Sequence, residues 1–320
     1  MFFQFKENNQ LVFVIAGPTT SGKTQLAIDL AKKHKGIVIN ADSQQVYKGL
    51  PILSCQPNKG DYKNVSHKLF NFLDVYKNFS VQEWFLLVEK EIINAKRKKK
   101  IPIIVGGTGM YLKALLEGLI VLPNIPKSIR EKGRILMKNL GSKEFYKKLK
   151  TKNYNCVSGI DQNDQTRLLR SWEIYQVSKK SIYELRKENK RKKINSLFFF
   201  KILILPSRKN VYLNCIKRWK KILKLGAVNE VKEIIKKEKD LNKKAFLKTI
   251  GFAELRDYLR KKISLEDATN ISVRATKNYA KRQYTWFKHQ FSANIIFKIE
   301  YDKSKKEFFF KEIRDKLLTN

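Results

Sequence analysis

Acidic residues are scarce in this chain. Twenty-nine Asp and Glu stand against 68 Lys and Arg in 320 residues, a formal net charge of +39. That excess excludes an acidic surface and points to a polyanionic partner. Lys, Asn, Ile and Phe are all abundant, which is also the signature of an A/T-rich genome, so part of the charge reflects composition alone. Cysteine is scarcer still. Cys55, Cys156 and Cys215 are far apart and odd in number. They exclude a disulfide framework and a zinc site, and they fit a reducing compartment. No apolar run reaches the ~20 residues of a membrane span. The start, Met1-Phe-Phe-Gln-Phe-Lys-Glu-Asn8, lacks the basic stretch and long apolar core of a secretory signal. A cytoplasmic protein without membrane contact is expected. The length admits one domain with an insertion, or two domains.

Against those absences stands one strong motif. Gly17-Pro-Thr-Thr-Ser-Gly-Lys-Thr24 fits the phosphate-binding loop pattern G-x-x-x-x-G-K-[ST]. Leu11–Ala16 before it is a short apolar run suited to a buried parallel strand. Gln25–Lys33 after it has apolar residues at helical spacing, and Gly36 can stop the helix. Strand, glycine loop and helix is the context the motif requires. Backbone N–H groups in such a loop point at an anion, and the helix N-terminus adds its dipole. Lys23 would neutralise terminal phosphates, and the Thr24 hydroxyl would hold Mg²⁺.

A second buried strand is expected over Ile37–Val46, carrying Asp42, Ser43 and Gln44 at its end. Ligands in open parallel sheets sit at the carboxyl ends of strands. Asp42 there could ligate Mg²⁺, act as a general base, or merely cap the next turn. Asn58-Lys-Gly-Asp61 matches a guanine-reading pattern, but no apolar strand precedes it and it lies too close behind the phosphate loop. His67 has no ligand partner nearby and reads as a structural residue. Ser80-Val-Gln-Glu83 is a capping box opening a helix to about Lys99. Ile101–Val105 is the next strand. It lacks the acidic residue that mechanoenzyme NTPases place at such an end and runs instead into Gly106-Gly-Thr-Gly109, where glycine permits close approach. Met110 to Gly118 is then helical.

From Val121 to Asn195 apolar strands vanish and short amphipathic helices alternate with basic clusters. Pro126 suits a first turn and Gly141 a stop. Arg167 and Arg170 fall one turn apart on one face. Arg186 to Lys193 is almost continuously basic, either a solvated face or a nucleic-acid surface. The sheet resumes at Ser196–Leu205. The following helix carries Leu213, Ile216, Trp219, Ile222 and Leu223 as a core stripe, with Arg218 beside it. Ser264-Leu-Glu-Asp267 opens a long helix to about Gln290, in which Lys281, Arg282 and other basic residues interleave with Tyr279, Tyr284 and Trp286. That mixture suits RNA, although the aromatics could be core. A strand near Ile295–Ile299 and a helix to Leu318 complete the chain. The expected fold is α/β, a P-loop NTPase-like parallel sheet flanked by helices with an all-α insertion. The first part of the core spans residues 1–120, the insertion 121–195 and the second part 196–320.

Several segments together resemble the tRNA dimethylallyltransferase family, in its bacterial form. They are GPTTSGKT at 17–24, ADSQQVYKGL at 41–50, VGGTGMYLKALLEG at 105–118, QTRLLRSWE at 165–173, TIGFAEL at 249–255 and YAKRQYTWFKHQ at 279–290. The resemblance runs over nearly the whole chain, and the zinc finger of eukaryotic relatives is absent. It implies transfer of a dimethylallyl group from its diphosphate to N6 of the adenosine 3′ to the tRNA anticodon. It also implies that Gly17, Pro18, Thr19, Thr20, Ser21, Gly22, Lys23 and Thr24 hold a diphosphate leaving group rather than ATP. Asp42 matches the general base, and Thr24, Lys23 and Arg218 match the groups that neutralise diphosphate. Asp42, Ser43, Gln44 and Gln45, with Gln165, Thr166, Arg167, Leu168 and Leu169, match regions that contact the target nucleotides. Thr108 and Arg130 fall near further tRNA contacts, and Arg170, Lys281 and Arg282 join them as basic neighbours. Lys68 and Ser54-Cys-Gln-Pro57 depart from the family's pattern. The expected partners are tRNA, gripped at its anticodon stem-loop, and dimethylallyl diphosphate, with Mg²⁺ as cofactor and a monomeric enzyme. The rival readings are a nucleoside or nucleotide kinase using ATP at the same loop, and a non-catalytic RNA-binding NTPase.

Overall fold

The computed structural model describes residues 10–74, 77–189, 191–237, 247 and 249–319. The leader reading of residues 1–8 and Lys190 in the basic run lie outside them. The chain forms two compact units, one of residues 1–116 with 194–320 and one of residues 117–193.

The first unit is built on a six-stranded sheet. Its strands are β1 (Gln10–Ala16), β2 (Gly36–Asn40), β3 (Ser66–Lys68), β4 (Ile101–Gly106), β5 (Leu197–Ile204) and β6 (Ile295–Phe297). Their order is β3-β2-β4-β1-β5-β6, and every pairing is parallel. β1 sits between β4 and β5, so both its edges are hydrogen-bonded and Leu11 to Ala16 are all buried. A central strand with both faces covered must be apolar throughout, which explains the unbroken Leu-Val-Phe-Val-Ile-Ala run. The chain leaves β1 toward β2 on one side and places β5 on the other. That reversal opens a crevice at the carboxyl end of β1, where ligands of open parallel sheets bind.

Helix α1 (Lys23–His34) follows β1 and packs Leu26, Ala27 and Leu30 into the core beside Phe13 and Ile15. Tyr301 braces its start from the far end of the chain. Its N–H donates to the Ser21 carbonyl at 3.1 Å and its hydroxyl to Asp29 Oδ2 at 2.8 Å. Short α2 (Lys59–Asn64) starts at Asn58, whose side chain and Asp61 form a capping box. The guanine-like pattern is thus a helix cap. α3 (Val81–Arg97) opens at the Ser80–Glu83 box. α4 (Gly109–Glu117) follows the glycine loop.

Within the second unit are α5 (Lys127–Lys152), α6 (Gln165–Ser178) and α7 (Ile182–Glu188). Their core joins Phe145, Leu149, Cys156 and Leu168, with a smaller cluster at Ile125, Ile174 and Leu185. Gly141 interrupts α5 as a stop would: its φ of 71° and ψ of 169° are non-helical, so a first helix ends there and a second runs on to Lys152.

After β5 the first unit continues with α8 (Arg208–Lys224), α9 (Ala227–Lys237), α10 (Phe252–Leu259), α11 (Leu265–Gln290) and α12 (Lys306–Leu318). Ser264 and Asp267 form the box that opens α11. Trp219, Ile222, Val231, Phe252 and Leu255 make a second core there. Leu213 does not join the α8 core stripe and is 47% exposed. Its turn of α8 faces outward, while Val211 and Cys215 face in.

The expected strand over Ile37–Val46 ends at Asn40. The buried Asn40 side chain is the reason. Its Oδ1 accepts from the Asp42 N–H at 2.8 Å, and its Nδ2 donates to the carbonyls of Asp42 and Leu69, each at 2.9 Å. These bonds fold the chain over on itself, so Asp42 begins a turn. Among the described residues, no helix is long and apolar enough to cross a membrane.

Candidate active site

A cleft of about 260 Å³ opens in the first unit. Thr19, Thr20, Lys23, Thr24, Asp42 and Arg218 line its polar part. Leu53, Trp219, Ile222 and Ile250 line an apolar part, and all four belong to the second core of that unit. The arrangement suits a ligand with an anionic head and a hydrocarbon tail.

The phosphate loop joins β1 to α1. Lys23 is 8% exposed and its Nζ donates to the Pro18 carbonyl at 3.1 Å. A carbonyl is a poor substitute for an anion. Burial therefore lowers the Lys23 pKa from 10.5 to about 8, with the Asp42 charge opposing the shift and Arg218 adding to it. Arg218 reaches the loop from α8 and donates from Nη1 to Thr19 Oγ1 at 2.6 Å. Two cations thus converge on a pocket lined with loop groups, as binding of a polyanion requires.

Asp42 sits across the same cleft. Its Oδ1 accepts from the Gln44 N–H at 2.9 Å, whereas Oδ2 has no hydrogen-bond partner among the described residues. One oxygen is held and the other is available to take a proton. Neighbouring Ser43 donates its N–H to Thr108 Oγ1 at 2.9 Å, which ties the Asp42 turn to the loop after β4. Gln45 donates through Nε2 to the carbonyls of Ser54 and Cys55 at 3.1 and 2.8 Å. Tyr279 of α11 also lines the cleft. Burial, and secondarily the charge of Asp42, raise its pKa above the usual phenol range, so it stays a neutral hydroxyl.

Gln283 supports the cleft from behind, and the sequence did not single it out. It is 6% exposed. Its Oε1 accepts from the Thr19 N–H at 2.8 Å and its Nε2 donates to the Gly107 carbonyl at 2.8 Å. One side-chain amide thereby links the phosphate loop, the glycine loop after β4 and α11. A Cβ at residue 107 would lie 2.3 Å from Gln283 Nε2, so a side chain there would displace the amide from its bonds. Its place in the run Ala280-Lys-Arg-Gln283 was the one available signal.

The residues expected to meet RNA divide. Lys281 and Arg282 are exposed on α11, beside Asn278, Thr285, Trp286 and His289 on an open surface. Gln165, Thr166 and Arg167 are exposed at the start of α6, with Leu169 and Arg170 half-buried. Arg167 pairs with Asp164 at 3.4 Å and Arg170 with Glu173 at 3.5 Å. Exposed pairs of this kind contribute only ~0–1 kcal/mol, so the Arg167 guanidinium remains available to a phosphate. Leu168 does not belong with them. It is 0% exposed in the core of its unit, and α6 turns it inward while its neighbours face solvent. Arg130 is half-buried on α5, and its Nε has no partner among the described residues. His67 bonds only locally, its Nδ1–H donating to the Val65 carbonyl at 2.8 Å. Among the described residues, no three His, Cys, Asp or Glu gather as a metal centre.

Comparison with known proteins adds a family. A family model described as IPP transferase matches residues 45–290. The tRNA dimethylallyltransferase of Pelagibacter ubique is 41% identical over 279 residues, covering 86% of this chain and 87% of that protein. The crystal structure of a full-length tRNA isopentenylpyrophosphate transferase from Bacillus halodurans superposes with a TM-score of 0.65 at 25% identity, covering 97% of this chain and 99% of its own. A eukaryotic dimethylallyltransferase acting on tRNA gives a TM-score of 0.72 at 28% identity, covering 87% of this chain and 70% of its own.

Two outcomes are expected of this geometry. Replacing Gln283 by Ala leaves the Thr19 N–H and the Gly107 carbonyl unpaired, at a cost of about 1–3 kcal/mol for each buried group. Thermal melting and diphosphate binding should both weaken, and unchanged values for both would show the amide to be idle. The second concerns Lys23. Its pKa is lower in the folded protein, so between about pH 8 and 10.5 the unfolded chain holds a proton that the folded chain lacks. Stability of the ligand-free protein therefore rises with pH across that window and is unaffected by this group below it. An anion needs the protonated amine, so pyrophosphate affinity should fall as pH rises through about 8. Calorimetric titration of Lys23→Met alongside the native protein should show that pH step only in the latter.

Proposed function

This chain belongs to the IPP transferase family, and from that premise we propose how its residues move a dimethylallyl group onto tRNA. It is a tRNA dimethylallyltransferase. The group passes from dimethylallyl diphosphate to N6 of the adenosine 3′ to the anticodon. The observation that carries the residue assignment is the meeting, in one cleft, of Asp42 with Lys23, Thr24 and Arg218 beside an apolar wall.

The adenine amine is a weak nucleophile, and its attack is helped by a placed base. Asp42 Oδ2 takes the N6 proton as N6 bonds to the allylic carbon. The bond from that carbon to the diphosphate oxygen breaks, and its electron pair leaves with the diphosphate. Lys23, Arg218 and the loop N–H groups stabilise the charge that develops there. The donor set fits Mg²⁺ held chiefly by the diphosphate itself. Thr24 offers a hydroxyl at the cleft, and magnesium at phosphate sites keeps few protein ligands. When bound, it would supply further neutralisation of the leaving group.

A stacked adenine cannot reach this cleft and has to be flipped out of the anticodon loop. Ser43, Gln44, Gln45 and Thr108 stand around Asp42, where an extruded base would enter. Gln165, Thr166, Arg167, Leu169, Arg170 and Arg130 on the second unit, with Lys281 and Arg282 on α11, would hold the RNA. An ATP-using kinase has the same loop, so the assay must offer both donors. Incubation of unmodified tRNA with radiolabelled dimethylallyl diphosphate or ATP should label RNA from the former only.

Asp42→Asn should lower the chemical step by roughly two to four orders of magnitude. Its tRNA affinity should stay close to native, and near-native turnover would remove Asp42 from the role of base. Binding titrations at several salt concentrations separate the two sets of arginines. Each phosphate contact contributes about −0.7 to −0.9 to the log–log salt slope. Arg167→Ala and Arg170→Ala should flatten that slope, and Arg218→Ala should slow turnover and leave it unchanged. The reverse pattern would overturn the division.

A further inference from the structure

Two consecutive residues of α8 face the cleft with opposite chemistry. Arg218 binds the phosphate loop through Thr19. Trp219 lies among Leu53, Ile222 and Ile250 in the apolar part of the wall. The indole is held in place from two directions. Its Nε1–H donates to Thr276 Oγ1 at 2.9 Å, and that hydroxyl in turn donates to the Ser272 carbonyl at 2.8 Å. Thr276 therefore has only a lone pair to offer, and the indole N–H fits it. On another edge the ring packs against the backbone at Gly251. A Cβ at that residue would lie 2.1 Å from indole Cη2 and 2.7 Å from Cζ2.

The backbone carrying Leu53, in the same apolar wall, is also held. The Glu230 carboxylate of α9 accepts the N–H groups of Ile52 and Leu53 at 2.7 and 2.8 Å. An apolar pocket with such walls resists lengthening. Close-packed surroundings resist an added methylene.

We propose that Trp219 sets the length of prenyl chain that the cleft accepts, acting as a rigid stop for the hydrocarbon tail. The inference rests on the reading of this cleft as a prenyl diphosphate site. Thr276 acts through the indole as a positioning residue.

The test uses the full chain, unmodified tRNA and two donors, dimethylallyl and geranyl diphosphate. The readout is the ratio of kcat/KM for geranyl to that for dimethylallyl transfer, with the product nucleosides separated by chromatography. The native enzyme should favour dimethylallyl by about a hundredfold or more, the discrimination a rigid apolar pocket supports. Trp219→Leu should raise the geranyl-to-dimethylallyl ratio by at least about tenfold, the low end of what a pocket-size change yields. Thr276→Val keeps the ring but frees it and should shift the ratio the same way. A native enzyme that uses both donors equally overturns the proposal. So does an unchanged ratio in folded Trp219→Leu. Thermal melting identifies a Trp219→Leu protein that does not fold, and Thr276→Val then decides, an unchanged ratio again overturning the proposal. Failure of the native enzyme to transfer dimethylallyl at all would instead overturn the reading of the site.

Discussion

The cleft depends on a buried amide. Gln283 satisfies a donor of the phosphate loop and an acceptor of the glycine loop in one plane. Neither backbone group could be left unpaired at that depth without a cost of ~1–3 kcal/mol. The bond pattern also fixes distance. The loop after β1 cannot open relative to the loop after β4 without breaking it, and α11 is carried along as the third member. The helix bearing Lys281 and Arg282 on its outer face thus holds the phosphate loop on its inner face, so the surface proposed for RNA and the site proposed for chemistry share one element.

Charge is distributed with the same economy. A net +39 would draw tRNA to most of the surface. Among the described residues, Lys23 and Arg218 are the cations that line the cleft, and both are tied to loop atoms there. Lys23 is held at an unfavourable depth, which its lowered pKa records. An arriving diphosphate would relieve that penalty. The same groups that destabilise the empty site therefore strengthen its affinity for the anion. Asp42 completes the balance. Its carboxylate is the negative charge that opposes the lowering of the Lys23 pKa, and its own turn is held by Asn40 and Thr108.

The apolar side of the cleft solves a different problem. A dimethylallyl group offers no polar handle, so selection there has to come from shape. The second core offers such a shape, with Trp219 held by a hydrogen bond and against a glycine, and the Leu53 backbone held by the half-buried Glu230. The polar part of the cleft is built at the end of β1 and its apolar part largely by α8 and the loop at residues 50–55.

Much of this was legible in the sequence where the physics is local. A glycine loop between an apolar run and an amphipathic helix needs only neighbouring residues to be recognised. The boxes at Ser80–Glu83 and Ser264–Asp267 are read within four residues, and both open helices. The motifs carrying the family resemblance are equally local. What the sequence by itself could not decide is which way a side chain faces once distant segments meet. Leu168 lies inside a run that resembles a nucleotide-contacting region, yet packing of its unit turns it inward. Leu213 keeps helical spacing with a core stripe and is exposed because it lies on the outer side of α8, where Val211 and Cys215 of the same turns face in. Asn40 ends β2 early by bonding to Leu69, twenty-nine residues away. Gln283 reaches its partners across separations of 264 and 176 residues. Polar pairing at such range has no periodicity to announce it, so tertiary structure alone assigned those roles.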